Sequence, residues 1–112
     1  MVDIPDRGLL PSKGVDDHLW EHGLSYFDAE EVWAGPAKYF RQDARTVFDE
    51  FKQPFRQPAR LIMIGPDFAG RLLTFVLTIP NTEERSYVVT GWGANRDEQT
   101  RYHRPGGRMR SR

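Results

Sequence analysis

Apolar residues along this chain of 112 residues come in short runs, which predicts brief strands and short helices around one core. Residues 60–65 and 71–79 are two apolar, β-branched runs separated by Pro66-Asp67-Phe68-Ala69-Gly70, the pattern of a hairpin with a five-residue loop. Residues 38–42 alternate polar and aromatic side chains, as a half-buried strand does, and residues 85–90 form a further strand ending at Gly91-Trp92-Gly93. Asn95, with Glu98 three residues on, is a capping-box pattern that starts a helix over residues 96–103, and Pro105-Gly106-Gly107 stops it.

The N-terminal half reads as helical. Asp16 or Asp17 caps a short helix running to Glu21, with Leu19 and Trp20 on its buried side and Gly23 as a left-handed stop. Ser25 and Asp28 open a second helix, in which Phe27, Val32 and Trp33 form an inward stripe before Gly35-Pro36 ends it. Residues 1–14 carry Pro5, Gly8, Pro11 and Gly14 without periodicity and read as a flexible arm. In residues 43–58 the spacing of Val47, Phe48 and Phe51 predicts a short amphipathic helix inside a long connection, bounded by Pro54 and Pro58. Two helices, about four strands with hairpin-length connections and a last helix predict an α+β domain. Its sheet is expected to be antiparallel, with the helices covering one face.

The chain has no cysteine, which excludes disulfides, thiolate metal sites and a cysteine nucleophile. The apolar runs at 61–64 and 72–79 are far shorter than the ~18 residues of a membrane span, and no basic segment followed by an apolar stretch marks a signal peptide. A cytoplasmic protein without a membrane partner is expected. Formal net charge is zero, yet residues 1–50 hold eleven acids against five Lys and Arg, while residues 96–112 hold six Arg against Asp97 and Glu98. The basic end suits an anionic partner such as RNA, or is an arginine-rich solvated tail, and the acidic half suits a basic protein.

Phosphate loops, nucleophile elbows and zinc-ligand pairs are lacking. His18 and His22 stand four residues apart, the spacing of a two-histidine metal site, but no further ligand motif completes a shell, so helix-end histidines and no metal are expected. What remains is Arg71 at a strand start with Arg96, Arg101, Tyr102, His103 and Arg104 around the last helix. This group suits metal-free RNA cleavage, in which a base activates the ribose 2′-hydroxyl and cations stabilise charge developing on phosphate. Tyr and Trp can stack on unpaired bases, although Tyr102 equally suits a core edge.

Three blocks in order carry a family resemblance. They are His18-Leu-Trp-Glu-His-Gly-Leu24 with the helix from Phe27 to Trp33, the central hairpin at 61–77, and Tyr87-Val-Val-Thr-Gly-Trp-Gly-Ala-Asn-Arg-Asp-Glu-Gln-Thr-Arg-Tyr102. Together they resemble the BrnT-type toxins of type II toxin–antitoxin modules over about residues 16–104. The resemblance implies a RelE-like α+β fold and a metal-independent, cofactor-free endoribonuclease that inhibits translation. It also implies neutralisation by a small DNA-binding antitoxin in a hetero-oligomer. His22, Arg71, Glu98 and Tyr102 match the family pattern; taken with the basic and aromatic residues above, Arg71, Arg96, Arg101 and Tyr102 are the catalytic candidates and His22, Trp92, His103 and Arg104 the RNA-binding candidates. The expected organisation is an arm at 1–14, one domain at 15–104 with an insertion at 43–58, and a disordered basic tail at 105–112. Glu21 and Trp92 depart from the pattern, standing where the family usually has basic residues. The second expectation is therefore a catalytically inactive BrnT-like module that binds in regulation or assembly.

Overall fold

In the computed structural model, which describes residues 3–110, seven strands and three helices follow one another. They are β1 (Gly8–Pro11), α1 (Val15–Trp20), α2 (Tyr26–Ala34), β2 (Lys38–Gln42), β3 (Arg45–Phe48), β4 (Pro54–Gln57), β5 (Arg60–Pro66), β6 (Leu72–Thr78), β7 (Arg85–Gly93) and α3 (Arg96–His103). The fold is α+β: a five-stranded mixed sheet in the order β1-β7-β6-β5-β2, and a separate two-stranded sheet of β3 and β4.

Burial of alternate strand residues builds the core. Tyr39, Leu61, Met63, Leu73, Phe75, Leu77 and Val88 point to one face, where Leu19 of α1 and Ala29 and Val32 of α2 cover them. A Cβ at Gly91 would lie 2.3 Å from Phe75 Cδ1, so this glycine lets the Phe75 ring lie across β7. The β6–β7 register slips between Val76 and Leu77, leaving Val89 as an extra residue. Such a bulge strengthens the local twist and re-aims side chains toward the second face.

Several expectations change. Residues 8–11, read as part of the arm, form β1 and pair parallel to β7, so the sheet has five strands and is mixed. Ser12 fixes this edge by donating its hydroxyl to the Val88 carbonyl at 2.6 Å. Residues 43–58 form no helix but an antiparallel hairpin in which Val47 faces Phe55. Gly14 in a left-handed conformation, rather than an aspartate side chain, precedes α1, and Asp16 instead accepts a hydrogen bond from Tyr26 N at the start of α2. Trp20 and Phe27 point outward at 79% and 75% exposure, and the buried helix positions fall to Val15, Leu19, Ala29 and Val32.

The last helix lies across the other face of the sheet from α1 and α2, where Arg101 covers Phe40, so the helices do not share one face. The tail segment docks as well. Tyr39 and Arg108 exchange both backbone hydrogen bonds, at 2.8 and 2.9 Å, on the outer edge of β2. Gly107, with φ of 72°, sits so close to Phe40 that a Cβ would approach its ring to 2.7 Å. Arg110 stacks its guanidinium 3.8 Å from the Trp33 ring centroid and donates to the Trp33 carbonyl. Residues 1, 2, 111 and 112, the ends of the expected arm and tail, lie outside the described residues.

Candidate functional site

The face of the sheet away from the main core carries a groove of about 420 Å³. Ile62, Val76 and Val89 form an apolar floor, α3 supplies Glu98 and Arg101 on one side, and the β3–β4 hairpin supplies Arg45 and Gln57 on the other. Arg60, Gln42, Thr90 and Trp92 complete the lining. Strand alternation explains the arrangement, because Arg60 and Ile62 share one face of β5 while Leu61 and Met63 turn to the core.

Three arginines therefore converge on one concavity. Among the described residues the ion pairs are Arg7–Glu84, Arg41–Asp43, Arg71–Asp28 and Arg71–Asp67, so Arg45, Arg60 and Arg101 have no acidic partner. Arg45 is oriented by a 3.2 Å hydrogen bond from its Nε to Gln57 Oε1 across the hairpin. Arg101 is held with its guanidinium 4.6 Å from the Phe40 ring centroid, a stacking contact that leaves its N–H donors available.

The carboxylate in the groove is committed. Glu98 accepts from Trp92 Nε1 at 2.9 Å and from Asn95 N at 2.9 Å, while Asn95 accepts from Glu98 N, closing the capping box at the start of α3. One side chain thus caps the helix and fixes the Trp92 indole against the groove. The His22 ring stands 6.3 Å from the Trp92 ring, tilted by 58°. A second hollow of about 440 Å³ borders the groove at Glu98 and Arg101 and is lined by Arg104, Phe40 and Thr100 among others.

The fold gathers part of the sequence-derived set. Trp92 and Arg101 share the groove, His22 adjoins Trp92, and Arg104 lines the neighbouring hollow. Tyr102 faces elsewhere: its hydroxyl donates to the Pro36 carbonyl at 2.7 Å, Lys38 lies over its ring, and burial pushes its phenol above the ordinary value. His103 is exposed and packs edge-on against Tyr102, and Arg96 is exposed at the start of α3.

Arg71 belongs to a different cluster at the β5–β6 turn. Asp67, which is 6% exposed, accepts from Arg71 Nε at 2.7 Å, Arg71 N at 2.8 Å and Ala69 N at 3.0 Å. Burial disfavours the charged carboxylate, but the Arg71 side chain and these backbone donors outweigh it and hold Asp67 below the usual carboxylate range. Arg71 also reaches Asp28 at 3.4 Å, and the hydrogen bond to Asp67 raises the guanidinium above its ordinary value. The carboxylates of Asp28, Glu31 and Asp67 converge within 4.8 Å, where Arg71 supplies the positive charge and Phe68 N donates to Glu31.

Arg45, Arg60 and the Phe40 platform were not apparent as site residues in the sequence. The available signal was Arg60 in phase with Ile62 on the polar side of an otherwise buried strand. No protein-family model, curated protein or solved structure matches this chain. Among the described residues no helix is long and apolar enough to cross a membrane.

Proposed function

We propose that this chain is the RNA-directed component of a toxin–antitoxin module, similar to the BrnT-type toxins, and that it takes single-stranded RNA in the groove between α3 and the β3–β4 hairpin. The observation that carries this reading is the convergence of Arg45, Arg60 and Arg101, none ion-paired among the described residues, beside Trp92 over an apolar floor. Three guanidinium groups against the one carboxylate of Glu98 leave the groove positive, which attracts phosphates, and an indole edge with apolar floor suits unpaired bases. RNA cleavage in this groove would place Arg101 on the phosphate, where its N–H donors stabilise the charge that develops there. A small DNA-binding antitoxin would cover the groove and thereby neutralise it.

A second reading, an RNA-binding module without cleavage, is favoured by the other commitments of the candidate groups. Tyr102 is tied to Pro36, Arg71 to Asp67 and Asp28, and Glu98 to Trp92. Inducing the full chain alone in a bacterial host separates the two. The toxin reading expects growth arrest with fragmented transcripts, relieved when Arg60 and Arg101 are both changed to alanine in protein that still folds. Normal growth with intact RNA, alongside RNA binding that the double variant loses, supports the module reading. Absence of RNA binding by purified protein at low salt overturns both.

A further inference from the structure

The β3–β4 hairpin leaves the sheet where the β2–β5 ladder ends, at the pair Gln42 and Arg60. Its residues are almost all exposed, including Phe48, Phe51 and Phe55 at 68%, 75% and 49%. A lone two-stranded hairpin has little to gain from such rings, since neither strand buries them and exposed aromatics cost solubility. Their placement is ordered, however. Register puts Arg45 opposite Gln57 and Val47 opposite Phe55, and residues two apart share a face. Arg45 and Gln57 line the groove, so Val47 and Phe55 continue the same surface toward the hairpin tip.

We propose that the hairpin is an extension of the RNA site, an arm whose groove-side face carries the strand onward from the sheet by stacking a base on Phe55. The inference rests on the groove binding RNA and adds the length of strand that is held. Charge and ring placement favour a nucleic acid over a peptide as occupant. Arg45, without an acidic partner among the described residues, precedes Phe55 along one face, so a cation for phosphate is followed by a ring for a base. The rings are open to unpaired bases, whereas bases already paired in a duplex offer no free face to them. Phe48 lies on the opposite face with Pro54, Thr46 and Arg56 and serves as the internal comparison.

Fluorescence anisotropy with labelled single-stranded RNAs, a tetranucleotide and a decanucleotide of mixed sequence, tests the arm on the full-length protein. The decanucleotide should bind about tenfold more tightly than the tetranucleotide, the gain expected from an added base stack. Phe55→Ala should remove that advantage while leaving tetranucleotide binding unchanged, Phe55→Trp should restore it, and Phe48→Ala should keep it. Circular dichroism of each variant confirms the fold. Equal affinity for both lengths, or a length advantage that survives Phe55→Ala, overturns the arm while the groove reading stands, and points to a protein partner for the rings. Failure of the wild-type chain to bind either RNA overturns the groove reading itself and the arm with it.

Discussion

Single residues here divide between those that close the fold and those left free. Asp67 is of the first kind, with one carboxylate satisfying two backbone donors of its turn and the Arg71 guanidinium. Because its pKa is lowered in the folded state, its stabilisation is complete above the unfolded value of about 3.9 and disappears as pH falls through the folded value. Asp67→Asn should therefore cost about 1–3 kcal/mol at neutral pH, from lost charge-assisted hydrogen bonds. The gap from wild type should narrow steadily as pH drops from about 5 toward 2. Urea unfolding over that range checks it, and a gap independent of pH would show that Asp67 does not carry the acid sensitivity. Arg45, Arg60 and Arg101 are of the second kind, with no ion pair to an acid among the described residues. Of these only Arg101 was legible from sequence, because it lies beside Tyr102 in a helix with a clear start. Arg45 and Arg60 sit in separate strands, and only the pairing of β2 with β5 and of β3 with β4 brings them together.

At the scale of elements, paired capping and turn signals were readable, whereas periodicity alone and pairing across the chain were not. The capping boxes at Ser25 and Asn95 marked α2 and α3 because both partners of each box lie within one turn of chain. The β5–β6 hairpin was similarly marked by its turn residues. Periodicity failed at the β3–β4 hairpin, where Val47, Phe48 and Phe51 imitate a helical stripe. That inference treats every large apolar residue as buried, and Phe48 and Phe51 are exposed. The same exposure makes the hairpin separable. Replacing residues 43–59 by Asn-Gly would close Gln42 onto Arg60 with the turn that two-residue hairpins prefer. The shortened chain should keep its thermal midpoint to within a few degrees, since little burial is lost and loop closure changes by only about 1–2 kcal/mol. Scanning calorimetry checks this, and a collapse of the transition would mean that the hairpin supports the main sheet.

Across the whole molecule, both ends of the described chain finish the sheet, which no local pattern could reveal. The strand β1 is four residues between Arg7 and Ser12 with a glycine and a proline in it, and it pairs with a strand from the far end of the chain. At the opposite edge, residues 105–110 run past Phe40 to the single bridge between Tyr39 and Arg108, and Arg110 anchors on Trp33. The Arg110 side chain and the Arg108 backbone thus serve the fold in a segment that also carries basic charge. Deleting residues 106–112 would remove two backbone hydrogen bonds, a bond to the Trp33 carbonyl and a stacked cation. At about 1 kcal/mol for each hydrogen bond and a similar amount for the stack, the loss is roughly 3–4 kcal/mol, or a fall in midpoint on the order of 10 °C. The deletion also bares the outer edge of β2, whose unpaired N–H and C=O groups form a template for another strand. Sedimentation equilibrium should then show average mass rising with concentration more steeply than for the full chain. An unchanged midpoint together with an unchanged mass profile would show that the C-terminal segment merely rests on β2 and neither stabilises nor shields that edge.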